Sequence, residues 1–461
     1  MRLEDIKSVY FVGIGGIGMS AIARWFKQRT ISVSGYDRMK TPLAEKLMDE
    51  GIQIHFEENI DLIGEAFRRK ESTLVVYTPA VPHGHLELKY FQEMAFTVMK
   101  RSEVLGMISR GHYTIAVAGT HGKTTTSSMV AHIFNQTEKG CSAFVGGIMT
   151  NYNTNMIYGG EDAPVIVEAD EFDRSFHRLS PNYAVVTSVD PDHLDIYGTV
   201  EDIQVAFGEF IEKTAEDGNV LIHYKSAEKI NTLFENRFYT YGIDAGDYQA
   251  KAIRAANGIF YFNYHGKEVI KDLKLMVPGF HNVENAVAAI TVALDLGISG
   301  SAIKETIATY AGVKRRFEYV IKDEKMVYID DYAHHPTEIT SFLKSVKSLY
   351  PGKKITAVFQ PHLFSRTNDF HVEFAQSLEL ADDILLMDIY PARELPMDGV
   401  TSEIILDKIN KENKAIVKRE QLISTLDDKS VEVLVTLGAG DIDKEIEGLK
   451  AHFIQKHGIK A

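Results

Sequence analysis

Cysteine, tryptophan and long apolar runs are what this sequence has least of, and each shortage excludes something. Cys141 is the only cysteine among 461 residues, so no disulfide forms within the chain and a reducing compartment is expected. No apolar stretch is long enough to cross a bilayer, and Met1-Arg2-Leu3-Glu4-Asp5 does not lead into the basic-then-apolar pattern of an export signal. The sequence therefore reads as cytoplasmic, with no membrane partner. Positive charge is short as well: 50 Lys and Arg against 64 Asp and Glu leave a formal charge of -14. That balance opposes non-specific binding to nucleic acid, so an anionic ligand has to be held by a local device. Low-complexity tails and short-period repeats are missing, which argues against a disordered arm and against a solenoid.

What is present is a folded α/β pattern. With 45% hydrophobic and 25% charged residues, a chain of this length is expected to form two to four domains, three being the natural number. From Ser8 to about Met107, apolar runs (Val9 to Val12, Ile31 to Val33, Thr73 to Tyr77) alternate with amphipathic stretches (Met19 to Arg29, Leu43 to Glu50). A second cycle contains Tyr113 to Ala118, Pro164 to Val167 and Tyr183 to Thr187, followed by a β-rich stretch from Gly218 to Lys274 and an alanine-rich helix ending near Leu296. A third cycle contains Met326 to Ile329, Ile355 to Phe359, Ile384 to Met387 and Val433 to Thr436. Strand-helix-strand repetition predicts mostly parallel sheets, with ligands at the carboxyl ends of the strands. The expected boundaries are 1–107, 108–312 and 313–461.

The strongest local signal is Ala118-Gly119-Thr120-His121-Gly122-Lys123-Thr124-Thr125-Thr126, between an apolar strand and a helix starting near Lys123. Glycines that turn backbone N–H groups inward, a helix N-terminus, a lysine and a hydroxyl make a nucleotide-phosphate cradle. The loop departs from the general P-loop pattern, since Val117 stands five residues before Gly122 where a glycine is usual. A helix start with adjacent threonines is the plain alternative. Downstream, Glu168-Ala169-Asp170-Glu171-Phe172-Asp173 and Asp190-Pro191-Asp192-His193-Leu194-Asp195 each follow a strand. Such oxygen donors with one imidazole suit Mg2+ bridging phosphates, or else form solvated acidic loops. Near the N-terminus, Gly13-Ile14-Gly15-Gly16-Ile17-Gly18 with Asp37 ~20 residues on satisfies the dinucleotide fingerprint. Alone it predicts a nicotinamide-dependent oxidoreductase, but its physics requires only a pyrophosphate and a diol.

Gly119 to Thr125, Glu168 to Glu171 and Asp192 to Asp195 together resemble the central domain of the Mur ligases in order and spacing, and the similarity covers nearly the whole chain. The resemblance implies an ATP-dependent, amide-forming ligase that activates a carboxylate as an acyl phosphate. It implies that Gly119, Thr120, Gly122, Lys123, Thr124 and Thr125 hold ATP phosphates and that Thr124, Glu168 and His193 surround Mg2+. His281, Asn282 and Asn285 resemble the family's adenine-side motif, Arg316 its phosphate-contacting arginine and Asp331 its ribose-contacting carboxylate. It also implies three α/β domains: an N-terminal Rossmann-like UDP-binding domain, a central P-loop ATPase-like domain with a mostly parallel sheet, and a C-terminal Rossmann-like domain. In that frame Gly13, Gly15, Gly16, Gly18, Met19 and Ser20, with Asp37, Thr78 and Pro79, are expected to hold a UDP-sugar; nicotinamide and a purely structural turn remain open. The lysine that several Mur ligases carbamylate is missing, because the corresponding stretch reads Val205-Ala206-Phe207-Gly208-Glu209-Phe210.

Asp331-Tyr332-Ala333-His334-His335-Pro336 resembles the block of family members whose acceptor is UDP-N-acetylmuramate itself, and Phe359-Gln360-Pro361-His362 with Arg366-Thr367 resembles a segment of the alanine-adding branch. The expected substrates are accordingly UDP-N-acetylmuramate and L-alanine, with Tyr332, His334, His335 and Arg366 at the amino acid. Lys123, His121, His334, His335 and Arg366 are expected to carry the chemistry, with His334 or His335 as the proton acceptor. Addition of an intact tripeptide, as in peptidoglycan recycling, is the nearest rival. A monomer or weak homodimer is expected.

Overall fold

Three sheets follow one another along the chain. The computed structural model describes residues 1–82, 84–191, 194–230, 238–256, 258–392 and 394–459. The first sheet comprises β1 (Ser8–Val12), β2 (Ser32–Tyr36), β3 (Gln53–His55), β4 (Thr73–Tyr77) and β5 (Thr97–Lys100), all parallel, in the order β3-β2-β1-β4-β5. The connection from β1 runs to one side of it and the one from β3 crosses to the other, which makes β1 and β4 the switch point of the sheet.

The central sheet comprises β6 (Thr114–Ala118), β7 (Ser142–Met149), β8 (Thr154–Ile157), β9 (Val165–Glu168), β10 (Tyr183–Val186), β11 (Asn219–His223), β12 (Tyr239–Gly242), β13 (Tyr248–Ala256), β14 (Ile259–His265) and β15 (Val269–Leu275). Its order, β15-β14-β13-β12-β11-β10-β6-β9-β7-β8, sets β6 between β10 and β9. Both flanking pairs are parallel, so the three strand ends that carry the phosphate loop and the two acidic segments lie side by side. The third sheet, β16 (Glu318–Lys322), β17 (Val327–Asp331), β18 (Ile355–Phe359), β19 (Asp383–Leu386), β20 (Lys414–Ile416) and β21 (Val433–Leu437), has the order β16-β17-β21-β18-β19-β20 and is parallel except at β16. Every residue of β1, β6, β18 and β21 is buried, which is why these strands read as unbroken apolar runs in the sequence. The pair β7 and β8 did not, because Gly146, Gly147 and the Asn/Thr-rich turn interrupt the pattern.

The chain divides into two compact units: residues 1–251, 263–273 and 284–310 in one, and 252–262, 274–283 and 311–461 in the other. In the first unit a single apolar core runs from the first sheet to the central one, joining Phe11, Trp25 and Val76 to Phe144, Val167 and Phe207. Trp25, on the helix Ile17–Gln28, lies 6.3 Å from the Phe144 ring of β7. In the second unit, Tyr328, Val358, Leu385, Leu434 and Phe453 form the core. Its last helix, Ile446–His457, stops where Gly458 turns left-handed at φ 59°.

The helix Arg101–Arg110 packs so closely on the segment Phe172–Arg178 that a Cβ on Gly106 would lie 2.4 Å from the Arg178 carbonyl oxygen. Local propensity favours Gly106→Ala by roughly 1 kcal/mol, but the backbone has to move apart to admit the methyl. Gly106→Ala is expected to lower stability by about 1–3 kcal/mol, read as a fall in the thermal or urea midpoint.

Candidate functional site

The phosphate loop leaves β6 with Gly119 at φ 138° and enters the helix Lys123–Asn135 through Gly122 at φ 84°. Both conformations favour glycine, and space allows nothing else. A Cβ would lie 2.1 Å from Thr187 Oγ1 at Gly119, and 2.8 Å from Asn285 Oδ1 at Gly122. The loop is strapped to the end of β10: the His121 N–H donates to Ser188 Oγ (2.7 Å), the Asp190 N–H to Thr120 Oγ1 (3.0 Å), and Thr187 Oγ1 to the His121 carbonyl. Asn285, on the helix Phe280–Asp295, accepts from Thr126 Oγ1 at 3.1 Å.

Lys123 Nζ lies 2.8 Å from Glu171 Oε2 and donates to the Gly119 carbonyl at 2.5 Å. Burial alone would lower its pKa, but the negative potential of Glu171, Asp170 and Glu168 raises it overall, so the ammonium stays charged. Burial pushes the Glu171 carboxyl upward against the pull of Lys123. Thr124 Oγ1 donates to Glu168 Oε1 at 2.9 Å, and the Gly146 N–H of β7 donates to Glu168 Oε2 at 2.7 Å. Two of the three expected metal ligands are thus in contact; the third, His193, lies outside the described residues. Among the described residues no group of three His, Cys, Asp or Glu side chains converges as a metal site. The donors around the loop are carboxylate and hydroxyl oxygens, the set a magnesium-bound triphosphate requires. His121 Nε2 is 3.8 Å from Asp190 Oδ2, and Asp190 pairs with Lys229 at 2.9 Å.

In the first sheet, the Gly13–Gly18 loop and the Thr78–Val81 turn meet: a Cβ on Gly13, whose φ is 88°, would lie 2.8 Å from Thr78 Cγ2. Asp37 accepts from the Gly15 N–H at 2.7 Å and the Met39 N–H at 3.1 Å, so its carboxylate shapes the loop. Met19 and Ser20 are buried, and the Ser20 hydroxyl is shared between the Ile17 carbonyl and the amide of Asn155. Pro79 is exposed.

The second unit assembles its candidates at the carboxyl ends of β17 and β18. Asp331 accepts from the Phe317 N–H (2.7 Å) and the Ala333 N–H (2.8 Å), which fixes the turn carrying Arg316. Arg316 lies over the Tyr332 ring at 5.0 Å. His334 Nδ1 donates to the Tyr332 carbonyl at 2.9 Å, and its ring is 5.9 Å from His362. His335 caps the helix Pro336–Leu349, its Nδ1 accepting a long 3.4 Å hydrogen bond from the Thr337 N–H. Arg366 is buried in the first turn of the helix Phe364–Leu378. On the segment before the helix Phe280–Asp295 and at its start, the Asn282 amide donates to the Pro278 carbonyl (2.7 Å), and His281 Nδ1 is 3.1 Å from Ser341 Oγ.

Three family models match successive parts of this chain. The one described as the Mur ligase middle domain covers residues 117–293, the Mur ligase family catalytic domain 8–113, and the Mur ligase glutamate ligase domain 315–440. The chain belongs to the Mur ligase family. A UDP-N-acetylmuramate--L-alanine ligase of Cytophaga hutchinsonii is 47% identical over 463 residues, 99% of each chain. Its namesake from Flavobacterium johnsoniae is 49% identical over 452 residues, 98% of each. The crystal structure of a UDP-N-acetylmuramate-alanine ligase from Thermotoga maritima is 30% identical, with a TM-score of 0.81 over 97% of this chain and 99% of that one. A murein peptide ligase from Psychrobacter arcticus shares the fold at a TM-score of 0.68, 23% identity and 99% coverage of both chains.

This Mur ligase has contacts at its loops that no motif in the sequence indicated. Arg101 pairs with Asp170 at 3.2 Å while packing against Gly18, where a Cβ would meet its Nη1 at 2.7 Å. The Ser188 strap under the phosphate loop and Asn155 behind the first loop were also missed. Arg101 and Asn155 join partners 69 and 135 residues away, so only the basic opening of a helix, Lys100-Arg101, hinted at either.

Burial raises Asp331 to about 7 against the opposing pull of Arg316 and the two backbone donors. The folded chain then holds a proton that the unfolded chain releases, and this contribution to stability falls as pH rises from about 4 to about 7. Asp331→Asn removes that dependence. The difference in unfolding free energy, variant minus wild type, is expected to move in the variant's favour by a few kcal/mol across that range; a flat difference in urea titrations would show an ionised Asp331.

Proposed function

We propose that the chain joins L-alanine to the lactyl carboxylate of UDP-N-acetylmuramate, with ATP converted to ADP and phosphate, as a cytoplasmic step of peptidoglycan precursor synthesis. The observation that carries this reading is near-half identity over the full length to relatives bearing that name. It also agrees with a phosphate loop whose lysine is half-buried and charged. The domains of the working enzyme are taken as 1–107 for the UDP-sugar, 108–312 for ATP and 313–461 for the amino acid, in a monomer or weak homodimer.

Two anions, a carboxylate and a triphosphate, have to approach each other for the first bond to form. Lys123, the turned-in backbone of Gly119 to Thr125 and His121 offset that repulsion. Mg2+, held by Thr124, Glu168 and His193, would add positive charge beside the phosphates when bound. Asn285 and His281 with Asn282 take the adenine side, Asp331 the ribose and Arg316 a phosphate. The carboxylate attacks the γ-phosphorus, ADP leaves, and the resulting acyl phosphate has to be kept from water. Gly13 to Ser20, Asp37, Thr78 and Pro79 serve the UDP moiety. Arg366 pairs with the alanine carboxylate and Tyr332 helps to orient the amine.

An amine attacks only when neutral, so a base has to take its proton. The two adjacent histidines differ in tautomer. A carbonyl can only accept, so His334 carries its proton on Nδ1 and has its lone pair on Nε2. His335 uses its Nδ1 lone pair on the Thr337 N–H, which puts the proton of the neutral ring on Nε2. His334 is therefore the proton acceptor and His335 a positioning group.

Phosphate release is expected with UDP-N-acetylmuramate, ATP, Mg2+ and L-alanine, and to be far weaker with the tripeptide. Lys123→Ala is expected to reduce it by about 10²–10³-fold; release that persists in this variant, or amide formed without ATP, would sink the assignment. His334→Asn is expected to lower kcat by about 10²-fold or more with the KM for ATP unchanged. Asparagine is a good N-cap, so His335→Asn keeps the helix start and is expected to stay within several-fold of wild type. Equal losses in the two variants would reverse the roles.

A further inference from the structure

The helix Ile17–Gln28 presents Ile17, Ser20 and Arg24, spaced i, i+3 and i+7, along one face. That face meets Asn155, a fully buried residue of β8 in the central sheet. Both N–H donors and the carbonyl oxygen of this amide are engaged. Nδ2 donates to the Ile17 carbonyl (2.5 Å) and to Ser20 Oγ (2.9 Å), while Oδ1 accepts from Arg24 Nη1. The Arg24 guanidinium is itself buried, its charge matched by Glu50 at 2.8 Å. On the far side of the hairpin, β7 pairs with β8 at Phe144 and Met156. Two residues beyond Phe144, the Gly146 N–H holds Glu168, whose other oxygen takes the Thr124 hydroxyl of the phosphate loop. A second tie, Arg101 to Asp170, packs against Gly18 of the same glycine loop.

We propose that Asn155 is a positioning residue of the ligase reaction, locking the loop that takes the sugar nucleotide to the strand pair that supports the phosphate loop. The inference rests on the function proposed above for those two loops. Each ligand is bound chiefly by its own loop, so affinity is local. The distance between the two reacting groups is not local; it depends on how the first sheet is held against the central one, and a displacement of ~1 Å is enough to lower a rate about 100-fold. Asn155 therefore acts on turnover while leaving binding nearly intact. A residue that merely filled the interface would lower stability and leave the folded enzyme's kcat unchanged.

The test compares wild type with Asn155→Ala and with the isosteric Asn155→Asp, which keeps the volume and the Arg24 contact but loses both donors, in case the alanine variant does not fold. Calorimetry with UDP and with ADP gives the two affinities, and phosphate release gives kcat, both below the onset of unfolding. Expected are dissociation constants within about 3-fold of wild type and a kcat reduced about 10–100-fold. A kcat within 2-fold of wild type, or a loss of UDP affinity as large as the loss of turnover, would overturn the proposal. Amide hydrogen exchange supplies a readout independent of activity: UDP is expected to slow exchange at Gly146 and Thr124 in wild type but not in the variants. Should wild type release no phosphate with any amino acid, the proposed function fails, and the exchange experiment still decides whether Asn155 couples the loops.

Discussion

The pair between the half-buried Lys123 and the buried Glu171 is the interaction on which the rest depends. An ammonium taken out of water is tolerated only beside an opposite charge, and here the carboxylate comes from the strand end next to the one that carries the lysine. The glycines, the Ser188 strap and the parallel neighbours of β6 all serve to bring those groups within 2.8 Å. Under the function proposed above, a triphosphate entering the loop competes with Glu171 for the same cation. The acidic segment is therefore the partner that keeps the lysine charged. The charge of -14 over the whole chain makes this local arrangement necessary, because long-range attraction of anions is absent.

Each sheet presents its candidate residues at carboxyl ends, for a common reason. Parallel strands joined by helices leave their loops on that edge, and connections that run in opposite directions bring two loops together at the switch point. In the first sheet the pair is Gly13–Gly18 with Thr78–Val81. In the central sheet the ends of β6, β9 and β10 lie side by side, and in the third β21 separates the loops bearing His334 and Arg366. The fold repeats one geometry and varies the side chains on it.

Much of this was legible before any coordinates. Thr73–Tyr77 and Ile355–Phe359 are strands with the limits read from their apolar runs, since strands covered on both faces have a nearly uniform composition. The start of the helix at Lys123 and the left-handed glycines before it follow from residue type. The short edge strands Gln53–His55 and Lys414–Ile416, and the pair β7 and β8, were not legible, because a half-exposed or glycine-broken strand carries no run to detect.

The sequence by itself determined the family, the α/β architecture and the glycine turns that lead into the helix at Lys123, because these depend on residue types at short spacing and on backbone conformations that only glycine adopts readily. Tertiary structure alone decided which carboxylate neutralises Lys123, which histidine nitrogen has the lone pair, and that Asn155 and Arg101 clasp the first loop. Those facts depend on side chains that meet across sheets, and the distance along a chain carries no information about such meetings until the strands have been ordered.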